Sequence, residues 1–213
     1  MKLYDYFRSS AAYRVRIALN LKGLSPAREF VHLRKNAQRS EEYLAVNPEG
    51  LVPALETDGG DVLTQSLAII AYLDETVLAP PLMPKTPAER ARVRSIALAI
   101  ACDIHPLNNL RVLLYLKNTM GVSDEQKDAW YRYWVDTGLE ALETRLARDA
   151  ATGRFCHGDA PTLADICLVP QLANARRMKV DVAPFPTLTR IESACIALPA
   201  FADAAPERQP DAE

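Results

Sequence analysis

Three prolines within five positions, Pro80, Pro81 and Pro84, divide this chain more sharply than any other feature. Proline locks φ and removes a backbone donor, so such a cluster ends regular structure and stiffens the segment that carries it. Before it, apolar patterns alternate between strand and helix periods; after it, every pattern is helical. The division predicts an α/β domain over residues 1–80, a linker over 81–86 and an all-helical domain over 87–213.

In the first part, residues 3–7 read as a strand and residues 10–22 as a helix. Ala11, Val15, Ala18 and Leu19 recur at helical spacing there, and Lys22-Gly23 supplies a stop. Residues 28–33 alternate as a second strand. Residues 40–46 form a short helix before the turn Asn47-Pro48-Glu49-Gly50. Residues 52–56 and 61–63 flank Asp58-Gly59-Gly60 as a hairpin, and residues 65–77 read as a third helix. The order is β-α-β-α-β-β-α.

In the second part, Pro87 sits at the first position of a helical pattern that runs to about residue 118. Pro106 inside it predicts a kink, of a kind that suits a binding cleft. Residues 124–149 read as a long helix with Trp130, Trp134, Leu139, Leu142 and Leu146 as its apolar stripe. Thr162 and Asp165 have capping-box spacing. Shorter helices are expected over 187–197 and 199–204, and the polar tail 206–213 is expected to fray.

The net charge of −2 argues against a nucleic-acid footprint. No run approaches the roughly 20 apolar residues of a membrane span. Residues 1–10 carry charges and no apolar core, so no signal peptide is expected. Cys102, Cys156, Cys167 and Cys195 form no Cys-x-x-Cys pair, which points to reduced, mostly buried thiols and a cytoplasmic protein. Cys102 and His105 have no second Cys/His pair nearby in sequence, so no metal is expected.

Ser9 and Ser10 lie between the first strand and the first helix. Free N–H groups and the helix dipole favour a negative charge at such a place. No side chain nearby is an obvious nucleophile, so the segment reads as a holder for a borrowed anion or thiolate. The alternative is that one serine merely caps the helix. Arg14 and Arg16 read as structural.

The run Ser9-Ser10-Ala11-Ala12-Tyr13-Arg14-Val15-Arg16-Ile17-Ala18-Leu19 resembles the signature of the zeta-class glutathione transferases. In that signature two serines, a cysteine and two variable residues precede Arg-Val-Arg-Ile-Ala-Leu. Asp103-Ile104-His105-Pro106-Leu107-Asn108-Asn109-Leu110-Arg111 is similar to a block of the same class. Asn47-Pro48, Val52-Pro53-Ala54-Leu55, Gln65-Ser66 and the run 158–165 agree with the wider superfamily. The resemblance implies a thioredoxin-like α/β N-terminal domain, an all-α C-terminal domain and a homodimer.

It also implies glutathione as cofactor, with Ser9, Ser10, Ala11, Gln38, Val52, Pro53, Gln65, Ser66, Asp103, His105 and Asn109 around it, and a cis Val52–Pro53 bond. Either serine, with Arg8 beside it, is implied as the catalytic group. Arg8, Asn109, Arg111 and Arg177 are implied as ligands of a small dicarboxylate. The family's cysteine is Ala11 here, so only glutathione can supply a reactive sulfur at that position. The implied reaction is cis–trans isomerisation of maleylacetoacetate or maleylpyruvate. Conjugation or dehalogenation of small α-halo acids is the alternative chemistry, and a non-catalytic binding module the alternative class.

Overall fold

The computed structural model describes residues 1–213, which fall into two compact units. The first is Met1–Leu82 together with Ala197–Glu213; the second is Met83–Ile196. The sequence reading placed residues 197–213 with the helical half and expected the tail to fray. Instead the tail packs on the first unit, because buried side chains of the first helix need its carbonyls. Arg16 Nε donates to Ala204 O at 2.9 Å and Tyr13 Oη donates to Phe201 O at 3.3 Å.

The first unit is built on a four-stranded sheet, in the order β2-β1-β3-β4. β1 is Lys2–Asp5, β2 Ala27–Phe30, β3 Ala54–Glu56 and β4 Val62–Thr64. β1 pairs with β2 in parallel, with Leu3 opposite Arg28, and with β3 antiparallel, with Leu3 opposite Leu55. The helices are α1 (Ser10–Leu21), α2 (Glu41–Val46) and α3 (Ser66–Thr76). α1 and α3 pack together through a core that includes Val15, Leu19, Ile69, Ile70 and Leu73. A second cluster gathers Tyr4, Ala54 and Val52 with Tyr43 of α2.

β2 stops at Phe30, three residues before the alternation suggested. It is an edge strand in which Ala27, Glu29 and Phe30 are exposed, and burial returns only at Val31, beyond its end. Short 3₁₀ turns at Leu33–Lys35 and Ala37–Arg39 follow.

Lys22 locks this unit at its far end. Its buried ammonium donates to Asp74 Oδ1 at 2.7 Å, and to the carbonyls of Val77 and Pro80 at 2.6 Å each. One cation thus ties the end of α1 to the end of α3 and to the proline segment. A cation at a helix C-terminus also opposes the dipole.

The second unit holds α4 (Pro87–Leu98), α5 (Leu110–Asn118), α6 (Asp124–Arg148), α7 (Leu163–Arg177) and α8 (Pro186–Ile196). A short α9 (Pro199–Ala202) returns to the first unit. Capping boxes open α4 (Thr86 with Glu89), α6 (Ser123 with Gln126) and α7 (Thr162 with Asp165). Asp165 does more than cap: its Oδ1 also accepts from Cys156 N at 2.7 Å, which fixes the loop before the helix.

The buried stripe of α6 is Tyr131, Val135, Leu139, Leu142 and Leu146. Trp130 and Trp134 are half-buried beside it rather than within it. Trp130 instead spends its Nε1–H on Leu107 O at 2.8 Å.

The pattern expected to run from 87 to 118 breaks as Pro106 requires, but by a wider route than a simple kink. Ala99–Ile104 winds as π-helix, with His105 N donating to Ile100 O at 2.9 Å. A 3₁₀ turn at Pro106–Asn108 follows, and α5 starts afresh. A methyl group on Gly138 would lie 2.3 Å from the Ile104 side chain, so α6 meets the π turn closely only because residue 138 is glycine. No helix is long and apolar enough to cross a membrane.

Lys22→Met should lower stability by about 3–5 kcal/mol, since it leaves a largely buried carboxylate unpaired. Urea unfolding followed by far-UV circular dichroism checks this. A loss below about 1 kcal/mol, the range of exposed pairs, would show that the lock contributes little.

Candidate functional site

Ser9 caps α1. Its backbone is extended (φ −69°, ψ 115°) and its Oγ accepts from Ala12 N at 3.2 Å. A hydroxyl that accepts keeps its own proton to donate. Ser9 is half-buried, whereas Ser10, the first helical residue, is buried. The two serines therefore differ: Ser9 pairs the cap with an accessible donor, and Ser10 lies inside. Ala11 is half-buried and carries only a methyl group.

The turn before Ser9 is closed by Ser9 N donating to Tyr6 O at 2.9 Å. Arg8 in this turn lies against the Phe7 ring, its Cζ 5.0 Å from the centroid, and no carboxylate is within ion-pair distance. Burial pushes the Tyr6 phenol up, with Arg8 opposing that rise. Arg16 is structural, as expected: its guanidinium is buried among Asp5, Tyr6 O, Phe7 O and Ala204 O.

Further along the first unit several polar groups lack partners of their own. Gln38 is buried, with Nε2 donating to Asn36 Oδ1 at 3.2 Å, while its Oε1 has no donor. The Val52–Pro53 bond is cis, and the Val52 N–H and C=O make no hydrogen bond within the chain. α3 starts without a side-chain cap. Gln65 holds the N-cap position, with φ +67°.

The positive φ turns the chain into the helix, which places Ser66 inside. Its Oγ accepts from Arg14 Nη1 at 3.3 Å, so it is not spent on the backbone. Gln65 Nε2 donates to Glu49 Oε2 at 2.9 Å, which holds the strained residue from the side. Uncapped N–H groups at this end favour an anion. An amide acceptor, an unpaired strand-end backbone and an anion-ready helix start fit a peptide-like, carboxylate-bearing ligand. Glutathione has that chemistry.

In the second unit, Asn109 caps α5: its Oδ1 accepts from Arg111 N at 3.1 Å, and its Nδ2 lies 3.5 Å from His105 Nε2. Pro106 thus brings His105, Asn109 and Arg111 together at the start of α5. The Arg111 side chain is exposed and has no carboxylate partner.

Asp103 is not part of this group. It borders an apolar cavity of about 570 Å³ between the π turn and α6, with Cys102, Trp134, Gly138 and Arg145. Arg176 and Arg177 are adjacent but differ in their partners. Both η nitrogens of Arg176 grip the Glu192 carboxylate, while Arg177 Nη2 reaches only the neutral Asn174 Oδ1 at 3.0 Å. Burial pushes Tyr131 up to about 12, with Arg177 opposing.

The sequence reading missed Asp211 as a neighbour of the Ser9 turn. Its Oδ2 accepts from Phe7 N at 2.9 Å across 204 positions, a separation that local patterns cannot bridge. It also missed the strain at Gln65, because glutamine carries no signal for positive φ. No group of three or more His, Cys, Asp or Glu side chains gathers where it could hold a metal ion.

Comparison with known proteins identifies the family. Family models for the glutathione S-transferase N-terminal and C-terminal domains match residues 8–76 and 125–203. A probable maleylacetoacetate isomerase of Vibrio cholerae is 53% identical, over 99% of this chain and 97% of its own. A maleylpyruvate isomerase described as a bacterial zeta-class glutathione S-transferase, solved in its holo form, superposes with a TM-score of 0.97 at 46% identity, covering 100% of both chains. A maleylacetoacetate isomerase of Methylobacterium extorquens, solved with malonate and glutathione, gives 0.98 at 46% identity over 100% of both chains. The chain belongs to the glutathione S-transferase family, and within it to the zeta class.

Proposed function

We propose that this protein is a glutathione-dependent cis–trans isomerase of maleylacetoacetate, with maleylpyruvate as the alternative substrate of the same chemistry. Ser9 carries the reading: a half-buried hydroxyl at the N-terminus of α1 that caps the helix and still has a proton to give. Whole-length likeness to relatives named for these two activities supports it.

When bound, glutathione supplies a thiolate that adds reversibly to the substrate double bond, so that rotation becomes possible before elimination. The protein's part is to hold the sulfur as an anion and to fix the diacid. Ser9 donates to the sulfur, with Ser10 as the second candidate. Ala11 adds no thiol of its own. Val52, beside cis Pro53, offers backbone N–H and C=O to the cysteinyl part. Ser66 and the uncapped start of α3 receive the γ-glutamyl carboxylate, and Gln65 and Gln38 flank the peptide.

The resemblance adds His105 and Asn109, which lie together at the start of α5, to the glutathione and substrate contacts, and Asp103 by its sequence match alone. Arg8, Arg111 and Arg177 bind substrate carboxylates; each is a guanidinium with no carboxylate of its own. A planar fork suits a carboxylate better than a point charge does. We further propose a homodimer, on the resemblance to the zeta class, and a reducing cytoplasm, with which four free cysteines agree.

The test is an absorbance assay of maleylacetoacetate and maleylpyruvate, each with and without glutathione. Turnover only with glutathione is expected, and the ratio of the two rates assigns the substrate. No turnover, with alkylated glutathione accumulating from α-halo acids, would replace isomerisation by dehalogenation.

Ser9→Ala should lower kcat about a hundredfold, the scale of losing one donor to a developing or held anion. Ser9→Thr, which keeps the hydroxyl, should recover most of it. A larger loss in Ser10→Ala than in Ser9→Ala would transfer the role to Ser10. Arg111→Met should raise KM for the diacid about tenfold or more, the worth of a charge-assisted bond, while glutathione affinity measured by calorimetry stays constant. Equal losses in both would remove Arg111 from substrate binding.

A further inference from the structure

The turn that carries Arg8 and Ser9 is held by two opposite charges. The peptide unit between Tyr6 and Phe7 has its carbonyl on the buried Arg16 guanidinium, at 3.4 Å from Nη1, and its N–H on Asp211 Oδ2, at 2.9 Å. The next carbonyl, Phe7 O, accepts from Arg16 Nη2 at 3.0 Å. A peptide dipole with a cation at its oxygen and an anion at its hydrogen is fixed in orientation, because rotation would break both charge-assisted bonds. No group near in sequence could supply the anion. Asp5 is already engaged by Arg16 and Arg28, and its Oδ1 also takes Tyr6 N at 2.7 Å.

The tail is itself anchored where Asp211 needs it. Gln209, buried, accepts from Arg28 Nη1 at 2.9 Å through Oε1. Its Nε2 donates to the carbonyls of Asp203 and Ala205 at 2.9 and 2.7 Å. Pro210 follows, and Asp211 lies two residues on. Asp211 makes no ion pair, and its second oxygen is buried without a partner, so no other side chain accounts for the placement of this carboxylate.

We propose that Asp211 is a positioning residue for the thiolate site: the C-terminal segment returns to the first unit so that this carboxylate fixes the Tyr6–Phe7 peptide, and with it the direction in which Ser9 and Arg8 present their donors. This rests on the reading of Ser9 as the thiolate donor. The role is distinct from catalysis, since Asp211 acts through the Phe7 N–H. It also explains why the C-terminal segment ends against a strand-to-helix turn.

The experiment compares full-length Asp211→Ala and Asp211→Asn with the unaltered protein. Asparagine keeps an acceptor oxygen for Phe7 N–H. Three quantities are read: kcat and KM; the pH titration of thiolate absorbance of bound glutathione; and hydrogen exchange of the Phe7 and Arg8 amides. Asp211→Ala should lower kcat/KM about ten- to hundredfold, the cost of misplacing a catalytic group by a fraction of a bond length to an ångström. It should move the thiol titration to higher pH and speed exchange of both amides. Asp211→Asn should recover most of all three.

Unchanged titration and exchange in Asp211→Ala would overturn the proposal, as would an activity loss that merely tracks the unfolded fraction. If the alanine variant does not fold, Asp211→Ser, too short to reach Phe7, replaces it under the same criteria. Ser9→Ala is measured in parallel. A raised titration there with none in Asp211→Ala overturns the positioning role alone. No change in Ser9→Ala overturns the Ser9 reading, and the amide exchange then decides whether the clamp exists.

Discussion

The buried pair of Arg16 and Asp5 is the interaction on which the first unit of this protein depends. Asp5 is inaccessible and the Arg16 side chain is 4% exposed, with Nη1 and Oδ1 2.8 Å apart. Burial pulls the Arg16 guanidinium down, and Asp5 opposes that pull. Such a pair adds little net stability against a well-packed apolar substitute. What it adds here is direction. The same guanidinium holds two carbonyls of the turn before α1 and one carbonyl of the returning tail. Strand β1, helix α1, the turn and the tail therefore share one fixed point.

The second unit achieves its geometry by interruption rather than by an ion pair. Pro106 cannot donate to the helix that precedes it, and the chain accommodates this by a π turn that directs His105 N to Ile100 O. The break lets α5 begin with its own cap, Asn109, whose amide lies beside the His105 ring and accepts from the Arg111 backbone N–H. Gly138 on α6 makes the close approach possible. Proline and glycine, the two residues least suited to helix interiors, are here what shape the polar end of the bundle.

Charge pairing separates structure from function among the arginines. Arg16, Arg28, Arg92 and Arg176 are each committed to a carboxylate. Arg8, Arg111 and Arg177 are not, and they are the three proposed for the diacid. An uncommitted guanidinium costs little while it remains in water and binds an incoming carboxylate without first breaking an internal bond. The resemblance pointed to Arg177 rather than its neighbour Arg176, and the commitment of Arg176 to Glu192 supports that choice.

The amino-acid sequence determined by itself what depends on neighbours within a few positions: the alternation of strands and helices, the proline division, the capping box at Thr162 and Asp165, and the break at Pro106. Hydrophobic period, caps and prolines act through local backbone geometry, so they are readable along the chain. The resemblance of residues 9–19 and 103–111 to one class carried the candidate site.

Tertiary structure decided what depends on distant partners. It ended β2 at Phe30, short of the 3₁₀ turn at Leu33–Lys35, and it opened α3 behind Gln65 at positive φ. It brought Tyr131 and Val135, not the two tryptophans, into the buried stripe of α6. It also carried Asp211 back to Phe7. A buried donor must find its acceptor wherever the folded chain places one, and that location is a property of three-dimensional packing rather than of sequence spacing.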